Sequence, residues 1–212
     1  MLLIGMFDSP FVRRVAVSMQ LLKIPFEHAD WSVGRDFERI RQYSPLGRVP
    51  ALVLDDGEVL SESASILDYL DASVGPEQAL LPAIGRPRRD SLKLMSLSIG
   101  AAEKGRDQIY EQVFRPPAKR HDEWTARLQA QMYGALGEVE KFCELHPEQP
   151  WLVGSAMGQA DITCTCAFTF LNEALPGAGI AKRYPQLAAV AERCEAEPPF
   201  QRTHVAFFTP SG

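Results

Sequence analysis

Hydrophobic and polar residues alternate in two different ways along the first 75 residues of the chain. Short apolar runs that suit buried strands are separated by longer stretches with the spacing of an amphipathic helix. The first helix is predicted to begin at Ser9 and Pro10, an N-cap and a first helical residue, and to end before Pro25. The predicted elements are, in order, a strand at 1–6, a helix at 10–22, a strand at 26–31, a short helix at 36–42, a hairpin at 51–60 and a helix after 61–63.

The remainder of the chain has a different pattern. Residues 75–87 are rich in proline and glycine and predict a linker. Beyond them no stretch has the period of a strand, and four helical patterns follow, at 90–114, 122–145, 161–175 and 185–197. We therefore predict an α/β domain with a mixed sheet at 1–75, a linker at 76–88 and an all-helical domain at 89–212.

Composition and charge narrow the classes of function. Of the 212 residues 46% are hydrophobic and 23% are charged, as in ordinary globular proteins. The net charge is -5 and no basic face stands out, so we expect no nucleic-acid partner. No stretch approaches the roughly 20 apolar residues of a membrane span. Because the apolar start of the chain is also too short for a signal peptide, we expect no membrane partner and a cytoplasmic location.

The four cysteines do not form a pattern that predicts a disulfide framework or a metal site. Cys143, Cys164, Cys166 and Cys194 all lie in helical patterns, and no histidine or cysteine pair nearby has the spacing of zinc ligands. We interpret them as small buried hydrophobic residues and predict no metal.

A motif lies at the junction between the first strand and the first helix. It reads Ser9-Pro10-Phe11-Val12-Arg13-Arg14. Thioredoxin-like domains carry their chemistry at this junction. Dithiol exchange needs two thiols, and here Ser9 and Val12 occupy the two redox positions, so that chemistry is excluded at this site.

Two further motifs follow, Val49-Pro50 before the hairpin and Glu62-Ser63 at the start of the next helix. In this order and spacing, the three motifs resemble the cytosolic glutathione transferase family. The resemblance covers the whole chain, and the segment from Ser9 is most similar to bacterial serine- or cysteine-type members. It implies a thioredoxin-like α/β domain with a mixed four-stranded sheet, followed by an all-α helical bundle domain.

The resemblance also implies a site for glutathione as co-substrate, with no other cofactor. It implies a cis Val49-Pro50 bond, so that the Val49 backbone pairs with the cysteinyl backbone of glutathione. Ser63 would hold the γ-glutamyl carboxylate and Glu62 its ammonium, and Arg48 would face the glycine carboxylate. The residues implied to bind glutathione are Phe11, Arg48, Val49, Pro50, Glu62 and Ser63, with Arg35 a weaker candidate for the role of Arg48.

Each motif also has a reading without chemistry. Val49-Pro50 fits a trans proline that starts a strand, and Glu62-Ser63 fits a simple helix cap. An arginine beside a turn, such as Arg48, is usually only solvated.

Ser9 is the predicted catalytic residue. A thiol with a pKa near ~8.5 is mostly protonated at neutral pH, whereas the thiolate is the nucleophile. A hydroxyl that donates to the sulfur, beside the N-terminus of the first helix, favours the anion. Ser9 would then stabilise the thiolate without attacking the substrate itself. The alternative is an N-cap serine with no chemistry.

A pocket for the second substrate is expected between the two domains. Phe7, Phe11, Tyr110 and Phe114 are its predicted walls, and Phe207 and Phe208 would cover it if the tail folds back. The function implied is transfer of glutathione to small hydrophobic electrophiles by a homodimer. A glutathione-dependent isomerase, a dehalogenase or an ether-cleaving enzyme would use the same site, and a non-catalytic interaction protein would share only the fold.

Overall fold

The computed structural model describes residues 1–207, and its elements follow the predicted order. The strands are β1 (Leu2–Ile4), β2 (Glu27–Ala29), β3 (Ala51–Val53) and β4 (Val59–Ser61). The helices are α1 (Pro10–Leu21), α2 (Phe37–Ile40), α3 (Ser63–Val74), α4 (Gly85–Val113), α5 (Asp122–Glu144), α6 (Gln159–Ala174), α7 (Ile180–Arg183), α8 (Pro185–Glu195) and α9 (Pro198–Arg202). Single 3-10 turns lie at Pro117–Lys119 and Pro176–Ala178.

The four strands form one mixed sheet in the order β2-β1-β3-β4. β1 and β2 are parallel, whereas β3 is antiparallel to both β1 and β4. In this register Ala51 pairs with Ile4 on one side and with Ser61 on the other. The end of β1, the start of β3 and the end of β4 therefore meet at one end of the sheet, which we call the motif end.

Alternate residues of each strand face opposite sides of the sheet. Leu3 and Leu52 are paired in register and pack with α1 and α3, while Ile4 and Ala51 pack with Ile40 of α2. Helices thus cover both faces of a mixed four-stranded sheet. The predicted thioredoxin-like α/β domain is confirmed.

After α3 the described chain, up to residue 207, contains helices and turns and no strand. α6 is buried along most of its length and packs against α1, α4 and α8. The predicted all-α domain is therefore confirmed, with α6 at its centre. None of the helices in residues 1–207 has the length and apolarity that crossing a membrane requires.

α4 begins at Gly85, five residues before the helical pattern predicted at 90–114 and inside the segment assigned to the linker. Pro87 lies in the first turn of this helix, where backbone N–H groups have no intrahelical acceptor. A proline therefore removes no hydrogen bond there. The linker boundaries at 76–88 stay a prediction.

α1 holds the two parts of the molecule together through polar contacts. Arg13 donates to both carboxylate oxygens of Glu195, at 2.7 and 2.6 Å, and to the carbonyl of Phe200 at 3.0 Å. The amide of Gln159 donates to the Ser18 hydroxyl at 3.1 Å. The helix that carries the Ser-Pro motif is therefore fixed against the helical domain.

Candidate functional site

The sheet register brings the three sequence motifs together. Ser9 follows β1, Val49 and Pro50 precede β3, and Glu62 and Ser63 follow β4, so all lie at the motif end. These segments are far apart in sequence but adjacent in space, because β3 lies between β1 and β4. The motif end is the candidate site.

Gly5 allows the first two segments to approach each other. It has φ +128, and a Cβ atom at this position would lie 2.6 Å from Val12 and 2.7 Å from the Cβ of Val49. Any larger residue would push the Val49 segment away from α1, since such contacts are far below van der Waals distance.

Ser9 has an extended backbone, with φ -76 and ψ 122, and Pro10 follows as the first residue of α1. The Ser9 side chain is partly exposed and makes no capping hydrogen bond. The amides of Phe11 and Val12 have no acceptor within residues 1–207. A free hydroxyl thus lies beside unsatisfied amides at the positive end of a helix, an arrangement that favours an anion.

The Val49-Pro50 peptide bond is cis. Val49 is partly buried, and its N–H and C=O form no hydrogen bond with residues 1–207, since pairing of β3 with β1 begins at Ala51. One residue with an unpaired backbone N–H and C=O is therefore available to an extended ligand.

α3 begins at a strained residue. Glu62 has φ +68 and ψ 125, a conformation that L-residues rarely adopt, and its side chain is exposed. The amides of the next three residues have no acceptor within residues 1–207. Strain of this kind often marks a functional position, and a helix start with free amides suits a carboxylate.

Ser63, the first residue of α3, is almost completely buried. Its hydroxyl accepts a hydrogen bond of 2.7 Å from Nη2 of Arg14. Arg14 is also buried and comes within 3.4 Å of the Thr163 hydroxyl on α6. The sequence pattern did not single out Arg14, because its burial depends on α6, which lies 149 residues further along the chain.

Arg48 and Glu62 face each other across the candidate site. Their side chains approach to 3.5 Å and are both about half exposed. Arg35, the weaker candidate, pairs with Asp36 at 2.8 Å and donates to the carbonyl of Asp30 at 3.0 Å. Of the two arginines, only Arg48 is brought into contact with another predicted site residue in the described chain.

Aromatic residues of α1 and of the C-terminal end of α4 lie together where the two domains meet, and we call this region the cleft. Tyr110 and Phe114 pack edge to face at 5.1 Å and are 38% and 60% exposed. The guanidinium of Arg106 lies 5.7 Å from the ring of Phe11 and 5.8 Å from the ring of Tyr110. Phe11, Tyr110 and Phe114 thus form one wall with Arg106, a residue that the sequence analysis missed. Phe11, predicted to bind glutathione, lies on this wall.

Phe7 makes a different set of contacts. Its ring stacks on His28, with 3.8 Å between ring centres and 6° between planes, and packs against the core shared by β1, α1 and α3. Within residues 1–207 it has no aromatic contact with Tyr110 or Phe114. Phe7 as a wall residue of the pocket therefore stays a prediction.

The chain after α9 returns towards α6. The Phe207 ring packs edge to face on Phe170 at 5.5 Å, and its N–H donates to Glu173 at 2.9 Å. His204 contacts the same carboxylate at 2.9 Å. Phe208, the other residue proposed to cover the pocket, lies outside the described residues.

Asp8 is a further functional candidate that the sequence pattern does not single out. Burial, and then the nearby charge of Asp30, raise the pKa of Asp8 to about 6, although the amide of Ser9 opposes the change. Burial is the main cause of the raised pKa of Tyr110, and the charge of Asp8 contributes to the same shift. Asp8 and Tyr110 therefore lie within electrostatic reach of each other across the cleft.

The four cysteines are all buried and free. Burial raises the pKa of Cys143, Cys166 and Cys194 to about 12, and raises that of Cys164 as well. They are small buried residues, as predicted, and are poor thiolate nucleophiles at neutral pH. Residues 1–207 contain no group of three or more His, Cys, Asp or Glu side chains placed to hold a metal ion.

A thioredoxin-like domain with its motif end facing a helical domain defines a class of two-domain folds. Residues 3–78 match the family model for the glutathione S-transferase N-terminal domain, and residues 122–193 match the model for the C-terminal domain. The chain therefore belongs to the glutathione S-transferase family.

Similar proteins support the same assignment along the whole chain. An uncharacterized GST-like protein, YibF of Escherichia coli K12, is 28% identical over 96% of this chain and 98% of its own length. A maleylacetoacetate isomerase of Pseudomonas aeruginosa is 27% identical, covering 91% of this chain and 90% of that protein. A crystal structure of a glutathione S-transferase of Methylobacterium radiotolerans in complex with glutathione sulfonate has a TM-score of 0.90 and 26% identity, covering 100% of this chain and 97% of that one.

Proposed function

We propose that this protein is an enzyme that binds glutathione at the motif end and transfers its thiolate to small hydrophobic electrophiles. One observation carries the proposal: the unpaired backbone of Val49, the free amides at the start of α3 and the Ser9 hydroxyl are juxtaposed at one end of the sheet. A tripeptide thiol with a carboxylate at each end has chemistry that complements this arrangement.

In the proposed complex the cysteinyl backbone of glutathione adds to the sheet at Val49, next to Pro50. The γ-glutamyl carboxylate lies at the start of α3, where it accepts from Ser63, and the ammonium faces Glu62. The glycine carboxylate faces Arg48, which would exchange its exposed pairing with Glu62 for the ligand. Phe11 is proposed to contact glutathione from its position at the cleft.

Ser9 is the proposed catalytic residue. With the backbone of glutathione at Val49, its sulfur would point towards the start of α1. The Ser9 hydroxyl donates to the sulfur and the free amides of α1 add their partial positive charge, so the pKa of the thiol falls and more thiolate forms. The thiolate then attacks the electrophilic carbon, forming the sulfur–carbon bond, while the leaving group departs with its electron pair.

The electrophile is proposed to bind against the wall of Tyr110 and Phe114, which are partly exposed between the domains. Apolar rings with one polar group, the Tyr110 hydroxyl, suit a small hydrophobic substrate. Phe7 has less support as a wall residue, because its ring is stacked on His28.

An isomerase is the second candidate. The full-length similarity to a maleylacetoacetate isomerase favours it, since such an enzyme would use the same glutathione site with a different pocket. The proposed homodimer and the cytoplasmic location stay predictions. Sedimentation analysis of the purified protein would test the first, and partially exposed apolar side chains such as Tyr69 and Leu92 offer contact area.

Titration calorimetry with reduced glutathione tests the binding site. We expect saturable binding below millimolar concentration, and no heat of binding at millimolar glutathione would refute the enzymatic proposal. A panel of electrophiles, assayed with and without glutathione, then separates the two candidates. Conjugates detected by mass spectrometry support a transferase, while rearranged substrate without a conjugate supports an isomerase.

A further inference from the structure

Arg14 is a buried cation with no carboxylate partner. It is 3% exposed, and within residues 1–207 no Asp or Glu oxygen lies within 4 Å of its guanidinium. Its neighbour Arg13 is equally buried but forms a bidentate ion pair with Glu195. A buried charge is costly unless an anion and hydrogen bonds compensate it. Arg14 therefore lacks compensation that Arg13 has.

The hydrogen bonds of Arg14 are also incomplete. Its two described contacts are to the hydroxyls of Ser63, at 2.7 Å, and Thr163, at 3.4 Å, and its buried Nε has no partner in the described chain. Burial lowers the pKa of Arg14 to about 10, and the charges of Glu62 and Glu103, neither of which forms an ion pair with it, offset this only in part. At neutral pH the side chain still carries its charge.

The contact with Ser63 has a directional consequence. A guanidinium has only donors, so the Ser63 oxygen accepts from Arg14 and its own hydroxyl hydrogen must go elsewhere. Within residues 1–207 this hydroxyl donates to no acceptor. A hydroxyl that accepts from a cation is a stronger donor, because the two hydrogen bonds polarise each other.

We infer that Arg14 is a positioning residue that acts through the Ser63 hydroxyl to make the start of α3 selective for a ligand carboxylate. The inference rests on the proposed function, in which that carboxylate belongs to the γ-glutamyl group. Arg14 itself does not touch the ligand. It fixes the Ser63 hydroxyl as an outward donor and supplies the positive charge behind it, while Thr163 holds the guanidinium from α6.

The test compares two ligands by titration calorimetry, reduced glutathione and 4-aminobutyryl-cysteinylglycine, which lacks only the γ-glutamyl carboxylate. In the wild-type protein we expect glutathione to bind at least tenfold more tightly. Arg14→Gln should reduce this ratio of dissociation constants about tenfold, mainly by weakening glutathione. Arg13→Gln is the matched control, because it removes the adjacent buried guanidinium and should leave the ratio unchanged.

The outcomes separate the two proposals. If the wild-type protein binds glutathione and Arg14→Gln has the wild-type ratio, Arg14 is only structural and the inference is overturned. Failure of the wild-type protein to bind glutathione overturns the proposed function with it. If Arg14→Gln does not fold, Ser63→Ala and Arg14→Lys are measured, and the inference requires both to lower the ratio; a wild-type ratio in Ser63→Ala refutes it.

Discussion

The guanidinium of Arg48 lies 3.5 Å from the carboxylate of Glu62. Arg48 is proposed to bind the glycine carboxylate of glutathione and Glu62 its ammonium group, so without ligand the two residues pair with each other. Both side chains are about half exposed, and such a pair contributes roughly 0–1 kcal/mol. The long arginine side chain can therefore leave Glu62 for a ligand carboxylate at little energetic cost.

Arg48→Gln should raise the dissociation constant for glutathione about two- to fivefold, because an exposed ion pair with the glycine carboxylate would be lost. The same substitution should not change the affinity for γ-glutamylcysteine, which lacks the glycine. Titration calorimetry with both ligands checks this. Arg35→Gln is the control, since Arg35 already pairs with Asp36, and an equal loss in this variant would argue against a specific role for Arg48.

Ser9→Ala should reduce turnover about tenfold at neutral pH and change glutathione affinity less than twofold. The reason is that one lost hydrogen bond to sulfur raises the pKa of the bound thiol by about one unit, or ~1.4 kcal/mol. Ultraviolet absorbance of the thiolate, followed as a function of pH in the binary complex, measures this pKa directly. Ser9→Thr keeps the hydroxyl and should retain most of the thiolate.

If the bound thiol titrates identically in Ser9→Ala and wild type, another group stabilises the anion. Tyr110 is then the next residue to test by Tyr110→Phe, since it lies on the cleft wall within electrostatic reach of Asp8.

Asp8→Asn should stabilise the protein at pH 7 by about 1 kcal/mol after allowance for solvent screening. The pKa of Asp8 is raised from 3.8 to about 6 in the folded state, chiefly by burial. Between pH 3.8 and about pH 6 the folded protein therefore binds more protons than the unfolded chain. The contribution of Asp8 to the free energy of unfolding falls as the pH rises through this range. Denaturant unfolding at several pH values should show the two proteins converging below pH 4 and separating above pH 6. A difference that is constant with pH would contradict this account.

The sequence was sufficient for the strands and the longer helices, because periodicity, Ser9-Pro10 and the glycine turn are local signals. The grouping of the motifs in one site was implied by the family resemblance. It could not identify φ +68 at Glu62, which depends on how β4 meets α3. The burial of Arg14 was equally hidden, since it requires α6 to pack on α1. The stacking of Phe7 on His28 was hidden as well, because it depends on the parallel pairing of β1 and β2.

The start of α4 and two short helices were also not predicted from the sequence. The proline and glycine content around Pro87 predicts a linker, although a proline in the first turn is compatible with a helix. The short helices α7 and α9, of four and five residues, were missed because they are too short to have a periodic pattern.

A side chain at position 158, the N-cap of α6, would have two opposing effects: it could cap the helix, but its Cβ atom would clash with the backbone of Leu80. Asp161 accepts from the amides of Gly158, at 3.0 Å, and Leu152, at 2.7 Å, so it caps the helix without help from the N-cap side chain. A serine at 158 would improve the N-cap by only a few tenths of a kcal/mol. Its Cβ, however, would lie 2.8 Å from the carbonyl oxygen of Leu80, which also accepts from the amide of Gln159.

Gly158→Ser should therefore destabilise the protein by about 1–3 kcal/mol, because the Cβ atom would clash with the backbone of Leu80 and one of the two segments must move. Equilibrium denaturation measures the change in the free energy of unfolding. Gly134→Ala is the matched control, since Gly134 is exposed on α5 with no atom within 4 Å of its added Cβ, and it should gain about 0.5–1 kcal/mol. Stabilisation by Gly158→Ser would contradict this account. It would mean that the segment containing Leu80 moves at little cost and that the gain from the serine N-cap exceeds the cost of the clash.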